Sequence, residues 1–496
     1  MASVLHRDTA FENIPSIKAK TLRINLNPDI YGTFAEIGAG QETARNFFRS
    51  GGASGTIAKA MSAYDKDFSD AIYGVEEDGR YVTQPRLKKM LTHEMKLMEE
   101  RISRETHPER LFFSYANTVA TIDFSKRYKG HGWLGIRYQL DPQQKDYDEI
   151  IIHIRFKQNE ARLQQETLGT VGTNLIYGAF YKYHKPRKLL KYLYDHIDKD
   201  TIEIDMVNFS GPNFKDVDNR LMSLQLIRND MTDAVMFGPD GNNLLPATLL
   251  YKKNILALRG SFRPVTKVNM DMFHKSYDIF VRDQAVDQER TIVIFEITLS
   301  NLKASGEIDE RDFMDRAELL CALGHTVMIS KFQEYYKLVE YFNNYTKEKI
   351  GLTMGVNNLI DIFDEKYYRH LSGGILEAFG KLFFKELEVY LYPMKNPDTG
   401  QIMTSNNIKV HPRMKELYKF FKYNGKVMDI IDYDTEIMHI FSRDVLKKII
   451  NDEKGWEDML PKGIAKTIKE KNLFTRKLVK KSEKIDKVEE EEAEKT

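Results

Sequence analysis

The sequence predicts an α/β fold with a doubly wound, mostly parallel sheet, an N-terminal α+β region containing an antiparallel meander, and a helical C-terminal cap. Two observations predict the sheet. Apolar, strand-like runs alternate with amphipathic helices from Ile202 to Phe363, and the order strand–helix–strand–helix–strand occurs twice in series. A third observation predicts the meander, because the hydrophobic period changes to two between Leu111 and Lys157.

Composition excludes several classes of protein. The chain has 496 residues, of which 42% are hydrophobic and 30% charged, with a net charge of +1. These values are typical of a globular protein with more than one domain, and they indicate no nucleic-acid or acidic-membrane partner. The single cysteine, Cys321, lies in an apolar helical run and excludes both an internal disulfide and a cysteine-based zinc site. Without a signal peptide or an apolar run of about 18 residues, the expected location is the cytoplasm.

Five segments are predicted along the chain. They are a mainly helical region at 1–110, antiparallel strands with helices at 111–200, the doubly wound α/β domain at 201–370, a helical cap at 371–475 and a charged tail at 476–496. The tail carries too little apolar surface to offset its ordering entropy, so we expect disorder there. Deleting Glu483–Thr496 should therefore leave the melting temperature unchanged.

Two glycine-rich turns stand out near the N-terminus, within 34–49 and 50–64. Each is predicted to open into a helix, and free N–H groups at a helix start can bind phosphate or carboxylate. Tight packing through glycine and alanine explains the same residues equally simply. The next helix, from Pro85 to Ile102, has an apolar stripe that should face a core.

The predicted meander carries a second candidate site. Its strands are Leu111–Asp123, Trp133–Leu140 and Glu149–Lys157. If the faces of the last two strands coincide, Arg137, His153 and Arg155 form a cationic patch. The alternative is the solvated outer face that antiparallel sheets commonly have.

The doubly wound sheet is predicted from two series of strands. The first series is Ile202–Asn208, Asp233–Phe237 and Ile255–Leu258; the second is Thr291–Leu299, Thr326–Ser330 and Ile350–Met354. In such sheets ligands bind outside the carboxyl ends of the strands. That rule selects a cofactor-binding set comprising Asn208, Gly211, Gly238, Asp240, Arg259, Arg263 and Asn301. Glycine admits close backbone approach, arginine suits phosphate, and carboxylates suit sugar hydroxyls or proton transfer.

Two carboxylates within predicted strands, Glu296 and Asp205, are the candidate catalytic residues. Glu296 interrupts the apolar run Ile292–Leu299, where an unpaired charge would cost several kcal/mol. It therefore needs a catalytic role or a cation, with Arg259 or Arg316 as candidate partners. No metal site is predicted.

Three segments resemble an uncharacterised bacterial protein family. They begin at Phe34 with Phe-Ala-Glu-Ile-Gly-Ala-Gly-Gln-Glu, at Asp218 with Asp-Asn-Arg-Leu-Met-Ser-Leu-Gln-Leu, and at Leu256 with Leu-Ala-Leu-Arg-Gly-Ser-Phe-Arg-Pro-Val. Members of that family are often labelled nicotinate-nucleotide adenylyltransferase or TonB-dependent receptor. The first label implies a nucleotide-binding α/β fold with a His-x-Gly-His motif. The similar run Lys129-Gly-His-Gly lacks the second histidine, so the resemblance assigns no catalytic residue.

The expected function is binding of a nucleotide or another phosphate-bearing small molecule. A nucleotidyltransferase-like enzyme, which would bind such a molecule as its substrate, is the enzymatic form of this expectation. The alternative is a non-enzymatic scaffold or regulatory protein whose partner docks on the Trp133–Lys157 sheet or on the C-terminal helices. The sequence predicts neither a cofactor nor an oligomeric state.

Overall fold

Backbone packing divides the chain into two compact units. The computed structural model describes residues 14–77, 79–102, 105–127, 129–303, 308–384, 386–396 and 399–474, so the predicted tail at 476–496 lies outside the described residues. The first unit comprises the described residues up to Met236 together with Asn242–Leu245. The second comprises Phe237–Gly241 and the described residues from Pro246 onward. The predicted boundaries near 110 and 200 fall inside the first unit, and the one near 370 falls inside the second.

The first unit is a sheet with helices on both faces. Its helices are α1 Ile17–Asn25, α2 Glu42–Ser50, α3 Lys66–Tyr73, α4 Gln84–Arg101, α5 Ala161–Tyr181, α6 Pro186–Tyr192 and α7 Asn219–Arg228, with 3-10 turns at Ala53–Gly55 and Pro212–Phe214. Its strands are β1 Ile30–Gly38, β2 Ile57–Ala63, β3 Leu111–Ala120, β4 His131–Tyr138, β5 Asp148–Phe156 and β6 Ile202–Ser210. Two short strands, β7 Ala234–Phe237 and β8 Asn243–Leu244, lie where the chain passes between the units.

The sheet of the first unit has the order β2-β1-β3-β4-β5-β6. Strands β1, β2 and β3 are parallel, whereas β3 to β6 are antiparallel neighbours. The predicted antiparallel meander is confirmed by β3, β4 and β5. The predicted strand at 202–208 belongs here, as β6 beside β5, and not to the doubly wound sheet.

Both faces of this sheet are buried. Phe34, Ile152 and Leu175 belong to a core on one face, where α5 and α2 pack together. Ala35, Ile151 and Met90 belong to a core on the other face, which α4 covers. Most positions of β6 are buried although Glu203 and Asp205 alternate with its apolar residues, so its place beside β5 follows from pairing and not from its composition.

The N-terminal region also departs from its prediction. It was expected to be mainly helical, and residues 57–63 were expected to begin a helix. They form β2 instead, pairing in parallel with β1 along the edge of the sheet. Alternate residues of β2 are more exposed, as the pleat of an edge strand requires.

The second unit contains a longer series of elements. Its helices are α8 Pro246–Leu249, α9 Lys267–Val281, α10 Leu299–Lys303, α11 Glu310–Ala322, α12 Tyr335–Asn343, α13 Val356–Ile362, α14 Gly374–Leu382, α15 Lys415–Tyr423, α16 Ser442–Ile450 and α17 Ile464–Lys471, with 3-10 turns at Gln288–Arg290, Glu365–Tyr368, Pro412–Met414 and Glu457–Met459. Its strands are β9 Asn254–Arg259, β10 Thr291–Thr298, β11 Thr326–Ser330, β12 Ile350–Gly355, β13 Leu387–Tyr392, β14 Met394–Lys395, β15 Ile402–Met403 and β16 Val427–Asp429. Among the described helices of the whole chain, none combines the length and the apolar character needed to cross a membrane.

An eight-stranded sheet includes β7 and β8, and its six strands that belong to the second unit are parallel neighbours in the order β16-β13-β12-β9-β10-β11. The chain builds β9, β10 and β11 outward in one direction, then returns to β12 on the other side of β9. This order, 3-2-1-4-5-6 when the strands are numbered along the chain, is that of the doubly wound dinucleotide-binding sheet. The predicted fold class is therefore confirmed, with β9–β11 and β12, β13 and β16 as its two halves.

The region predicted to be a helical cap contributes two of these strands. Strand β13 pairs with β12, and β16 extends the sheet beyond β13. The run Leu387–Tyr392 is buried at nearly every position, as a central parallel strand should be. A buried run of only six residues can be read as either a helix or a strand, which accounts for the wrong prediction.

Candidate functional site

The carboxyl edge of the parallel sheet holds a buried ion pair between Arg259 and Glu296. Arg259 ends β9 and Glu296 lies beside it on β10, in direct register. The guanidinium donates two hydrogen bonds to the carboxylate, at 2.7 Å from Nε to Oε2 and 3.0 Å from Nη2 to Oε1. Ser330, the last residue of β11, donates a third at 2.6 Å from Oγ to Oε1. Glu296 is completely buried, so the predicted need for a partner is met by Arg259.

The remaining contacts of Arg259 also lie within the second unit. Its Nη1 donates to the carbonyl oxygen of Gln333 at 2.9 Å, and its guanidinium lies 4.2 Å from the centre of the Tyr335 ring. Burial alone would lower the pKa of Arg259, but Glu296, Tyr335 and Glu334 together more than offset this effect, so the pKa is raised. The pair is thus fixed in place, and most of its hydrogen-bonding capacity is used within the protein.

A second network of charges lies beside the first. Arg263, in the loop after β9, donates to Asp312 at 2.5 Å from Nε to Oδ1. The other oxygen of Asp312 accepts from Arg316, one helical turn further along α11. Arg316 also donates from Nη1 to the carbonyl oxygens of Ser261 at 3.1 Å and Asn301 at 3.3 Å.

One donor of this network is unused. Arg316 is 1% exposed, and its Nε has no hydrogen-bond partner among the described residues. Buried polar groups are almost always bonded, so this guanidinium donor is an exception among the buried polar groups of the second unit. The sequence suggested Arg316 only as an alternative partner for Glu296.

The other predicted residues of the second unit have structural contacts. Asn301 accepts from the backbone N–H and the hydroxyl of Thr298, at 3.2 and 2.6 Å, and so closes the turn after β10. Gly238 and Asp240 lie in the turn after β7, where the N–H of Gly241 donates to the carbonyl of Gly238 at 2.9 Å. The structure therefore links Arg259 with Glu296 directly, and connects Arg263 with Asn301 through Arg316.

Asp205, Asn208 and Gly211 lie in the first unit, on or just after β6. Asn208 is half-buried opposite Ile151 of β5. Gly211 has φ +117° and its Cα approaches Asp148 so closely that a Cβ would lie 2.6 Å from the carboxylate oxygen. Asp205 is the one of the three with a titratable partner, since its Oδ1 lies 2.5 Å from Nδ1 of His153.

The predicted cationic patch on the meander is largely neutralised. Arg137 donates to Glu149 at 2.6 Å, and Arg155 lies 3.5 Å from Glu203. His153 is 1% exposed, because this face of the sheet is covered. Its Nε2 lies 3.1 Å from Nδ1 of His131, a residue that sequence reasoning did not select. The signal for it was present, since His131 and Trp133 alternate on β4 opposite Arg155 and His153 of β5.

The first glycine-rich turn holds an anion that belongs to the chain itself. Glu36 of β1 is 2% exposed and accepts from the N–H of Ala44 at 3.2 Å, in the first turn of α2. Asn117 of β3 donates to the same carboxylate at 2.9 Å and to the carbonyl of Gly40 at 3.1 Å. Burial raises the pKa of Glu36 to about 7. A Cβ on Gly40 would lie 1.8 Å from Oδ1 of Asn117, so this glycine serves close packing.

Metal binding has no support in the described part of the chain. No three or more histidine, cysteine, aspartate or glutamate side chains there are arranged to hold an ion.

Comparison with known proteins gives limited similarity. No protein-family model and no curated protein matches the chain. Solved structures similar to part of it include the competence-damaged protein (CinA) superfamily protein from Enterobacter cloacae, at 11% identity over 35% of this chain and 98% of that one, with a TM-score of 0.25. The competence/damage inducible protein CihA from Agrobacterium tumefaciens has 16% identity over 34% and 98% of the two chains, with a TM-score of 0.24. A CinA-superfamily protein from Escherichia coli has 12% identity over 37% and 94%, with a TM-score of 0.24.

These similarities are too weak to establish a site or an activity. All three TM-scores lie below 0.5. None of the three proteins is described as an adenylyltransferase or a receptor, so the family resemblance inferred from the sequence remains a prediction.

Proposed function

We propose that the second unit binds a phosphate-bearing small molecule, of which nucleotides are the expected class, at the carboxyl edge of its parallel sheet between β9 and β12. The strand order carries this proposal. Where the order reverses, the loops after the two neighbouring strands diverge and leave a crevice, and ligands of such sheets bind there. Here the reversal lies between Arg259 at the end of β9 and Gly355 at the end of β12.

Two local features support the proposal. A Cβ built on Gly355 meets no atom within 4 Å, so the end of β12 faces free space. The loop after β9 carries Arg263 and is bonded by Arg316, whose buried Nε has no hydrogen-bond partner among the described residues. Arginine groups held in place by their other bonds are suited to binding phosphate oxygens.

Binding is better supported than catalysis at this edge. Glu296, the predicted catalytic carboxylate, accepts from Arg259 and Ser330 and has no exposed surface. A group in that state has no free oxygen to offer a substrate proton or a metal ion. The scaffold alternative has less support, because the β4 and β5 residues of the Trp133–Lys157 sheet are mostly buried.

A thermal-shift screen against nucleotides, dinucleotides and sugar phosphates tests the proposal. A ligand present at about 100 times its Kd should stabilise the unit that binds it by about 2.7 kcal/mol. We expect at least one compound to raise the melting temperature, and phosphate-free nucleosides to have no effect. A screen in which no phosphate compound shifts the transition would overturn the proposal.

A pair of glycine substitutions then locates the site. Gly355→Leu should abolish the shift while the protein stays folded, because Gly355 has an ordinary φ of −85° and open space for the side chain. Gly380→Leu is the matched control, since Gly380 is exposed on α14 of the same unit and also has open space. If Gly355→Leu binds the ligand as tightly as the control does, the crevice between β9 and β12 is not the site.

A further inference from the structure

A bulge in the first unit aligns three titratable side chains. The register between β5 and β6 shifts at this point, with His153 opposite Met206 and Ile154 opposite Ile204. Asp205 is the extra residue, and the bulge directs its carboxylate at His153. Bulges of this kind are frequent beside active sites, where they re-aim a side chain.

The inner two members of this row are sealed from solvent. His153 is 1% exposed and Asp205 4% exposed, and the Trp133 ring packs on His153 with 4.8 Å between ring centres. The second carboxylate oxygen of Asp205, Oδ2, is buried without a hydrogen-bond partner among the described residues. His131, at the other end of the row, is only half-buried.

The hydrogen-bond order fixes the tautomer of each ring. A carboxylate only accepts, so His153 donates from Nδ1, and in the neutral ring its Nε2 is then an acceptor. That acceptor lies 3.1 Å from Nδ1 of His131, which therefore carries a proton. The lone pair of His131 is then on Nε2, for which the described residues supply no partner.

Burial, helped by neighbouring cations, keeps His131 neutral. Burial is the main cause that lowers its pKa to about 4, with His153, Arg155 and Arg80 acting in the same direction and Asp205 opposing them. Arg80 is exposed, whereas Arg155 is half-buried and paired with Glu203, and the carboxylates of Glu203 and Asp205 are largely buried. An anion approaching this end of the row would therefore meet the Arg80 guanidinium before either carboxylate.

We propose that the row is a proton relay in which Nε2 of His131 is the catalytic base for an anionic small molecule. Nε2 of His131 accepts the proton of a substrate hydroxyl group, or of a water beside the substrate: the O–H bond breaks, its electron pair stays on the oxygen, and an N–H bond forms on the imidazole. The imidazolium so formed holds its Nδ1–H toward His153, and the negative charge of Asp205 stabilises it through that ring. His153 and Asp205 are positioning residues. This site is independent of the crevice in the second unit.

Carbethoxylation of the full chain with diethylpyrocarbonate, followed peptide by peptide by mass spectrometry, measures the reactivity of His131 directly. The reagent attacks a neutral, accessible imidazole nitrogen. His439 is an exposed internal reference. Between about pH 7 and about pH 5.5, a histidine with an ordinary pKa near 6.5 should slow about eightfold, whereas His131 should keep nearly all of its rate. A His131 rate that falls in parallel with that of His439, or no modification of His131 at either pH, would overturn the proposal.

Two variants and one probe complete the test. Asp205→Asn should slow modification of His131 by about tenfold or more, because an amide no longer fixes the tautomer of the row. Asp200→Asn is the matched control, the same exchange at an exposed position just before β6, and should leave the rate within about twofold. Inorganic pyrophosphate should protect His131 and not His439. Equal rates in the two variants would exclude the relay, and absence of protection would exclude an anionic substrate.

Discussion

At the scale of single residues, Glu296 illustrates how a buried charge dictates its surroundings. In the run Ile292–Ile297, every residue other than Glu296 is apolar. Moving an unpaired carboxylate into such a place costs several kcal/mol, so a cation must lie within reach. The Arg259 guanidinium supplies it with two bonds, and the Ser330 hydroxyl occupies part of the remaining capacity.

Replacing this carboxylate should therefore reduce stability strongly. Glu296→Gln leaves the buried Arg259 without its counter-charge, and breaking one partner of a buried pair costs about 3–5 kcal/mol. Urea unfolding of the second unit measures the loss. Glu365→Gln, an exposed carboxylate of the same unit, should change the free energy of unfolding by less than about 0.5 kcal/mol. A loss below about 1 kcal/mol for Glu296→Gln would show that the amide retains the bonds and that the charge contributes little.

Residue-scale reasoning from the sequence succeeded where a single residue carried a large penalty. A charge in an apolar strand demands a partner, and Arg259 was one of two candidates named for it. Asp205 was selected for the same reason, and it too is buried and bonded. The contacts of Arg316 were missed because they join segments far apart in the chain, such as Ser261 and α11. No local pattern encodes those distances.

At the scale of elements, the sequence predicted whether strands pair in parallel or antiparallel more successfully than it predicted which strands belong to which sheet. Strands β6 and β10 are both buried at most positions, although polar residues alternate along β6. Only pairing distinguishes them, and β6 pairs with β5 through register contacts that its own sequence does not reveal. Strand β16 has only three residues, too few for any periodic signal.

The junction between β1 and α2 is an element-scale device whose stability depends on pH. The Gln41 side chain makes no capping hydrogen bond at the start of α2, and the Glu36 carboxylate accepts one of the first N–H groups instead. Burial raises the pKa of Glu36 from the ordinary 4.5 to about 7. The folded state thus binds this proton more readily than the unfolded state does. The contribution of Glu36 to the stability of the folded state is therefore most favourable at low pH, and it is lost as the pH rises from about 4.5 to about 7.

The substitution Glu36→Gln should remove the loss of stability that the parent protein shows as the pH rises. Near pH 8 the variant should be more stable than the parent by about 2–3 kcal/mol, because glutamine is neutral at every pH and Asn117 has an unused Oδ1 that can accept its amide. Near pH 5 the two proteins should differ by less than about 1 kcal/mol. Urea titrations at both values measure the difference. Glu166→Gln, at an exposed position of the same unit, should show no such pH-dependent gain. A constant difference between parent and Glu36→Gln at both values would contradict the inferred shift in pKa.

At the scale of the whole molecule, the two units have separate predicted roles. The first unit contains the Asp205–His153–His131 row and the Glu36 junction, and the second contains the Arg259–Glu296 pair and the strand-order reversal. The chain has two tryptophans, and each unit contains one of them. Trp133 is 4% exposed in the first unit and Trp456 is 6% exposed in the second, so the fluorescence of each should change strongly on unfolding.

Single-tryptophan proteins can therefore report the units separately. In Trp456→Phe, where Trp133 is the reporter, adding Glu36→Gln should raise the urea midpoint near pH 8, and adding Glu296→Gln should leave it unchanged. In Trp133→Phe, where Trp456 is the reporter, Glu296→Gln should lower the midpoint and Glu36→Gln should have no effect. The reason is that the partners of Glu36 all lie in the first unit and those of Glu296 in the second, and substitutions without shared partners act independently to within about 0.5 kcal/mol. If both reporters gave one coincident transition that both substitutions shifted alike, the chain would unfold as a single cooperative body, and neither unit could be assigned a stability of its own.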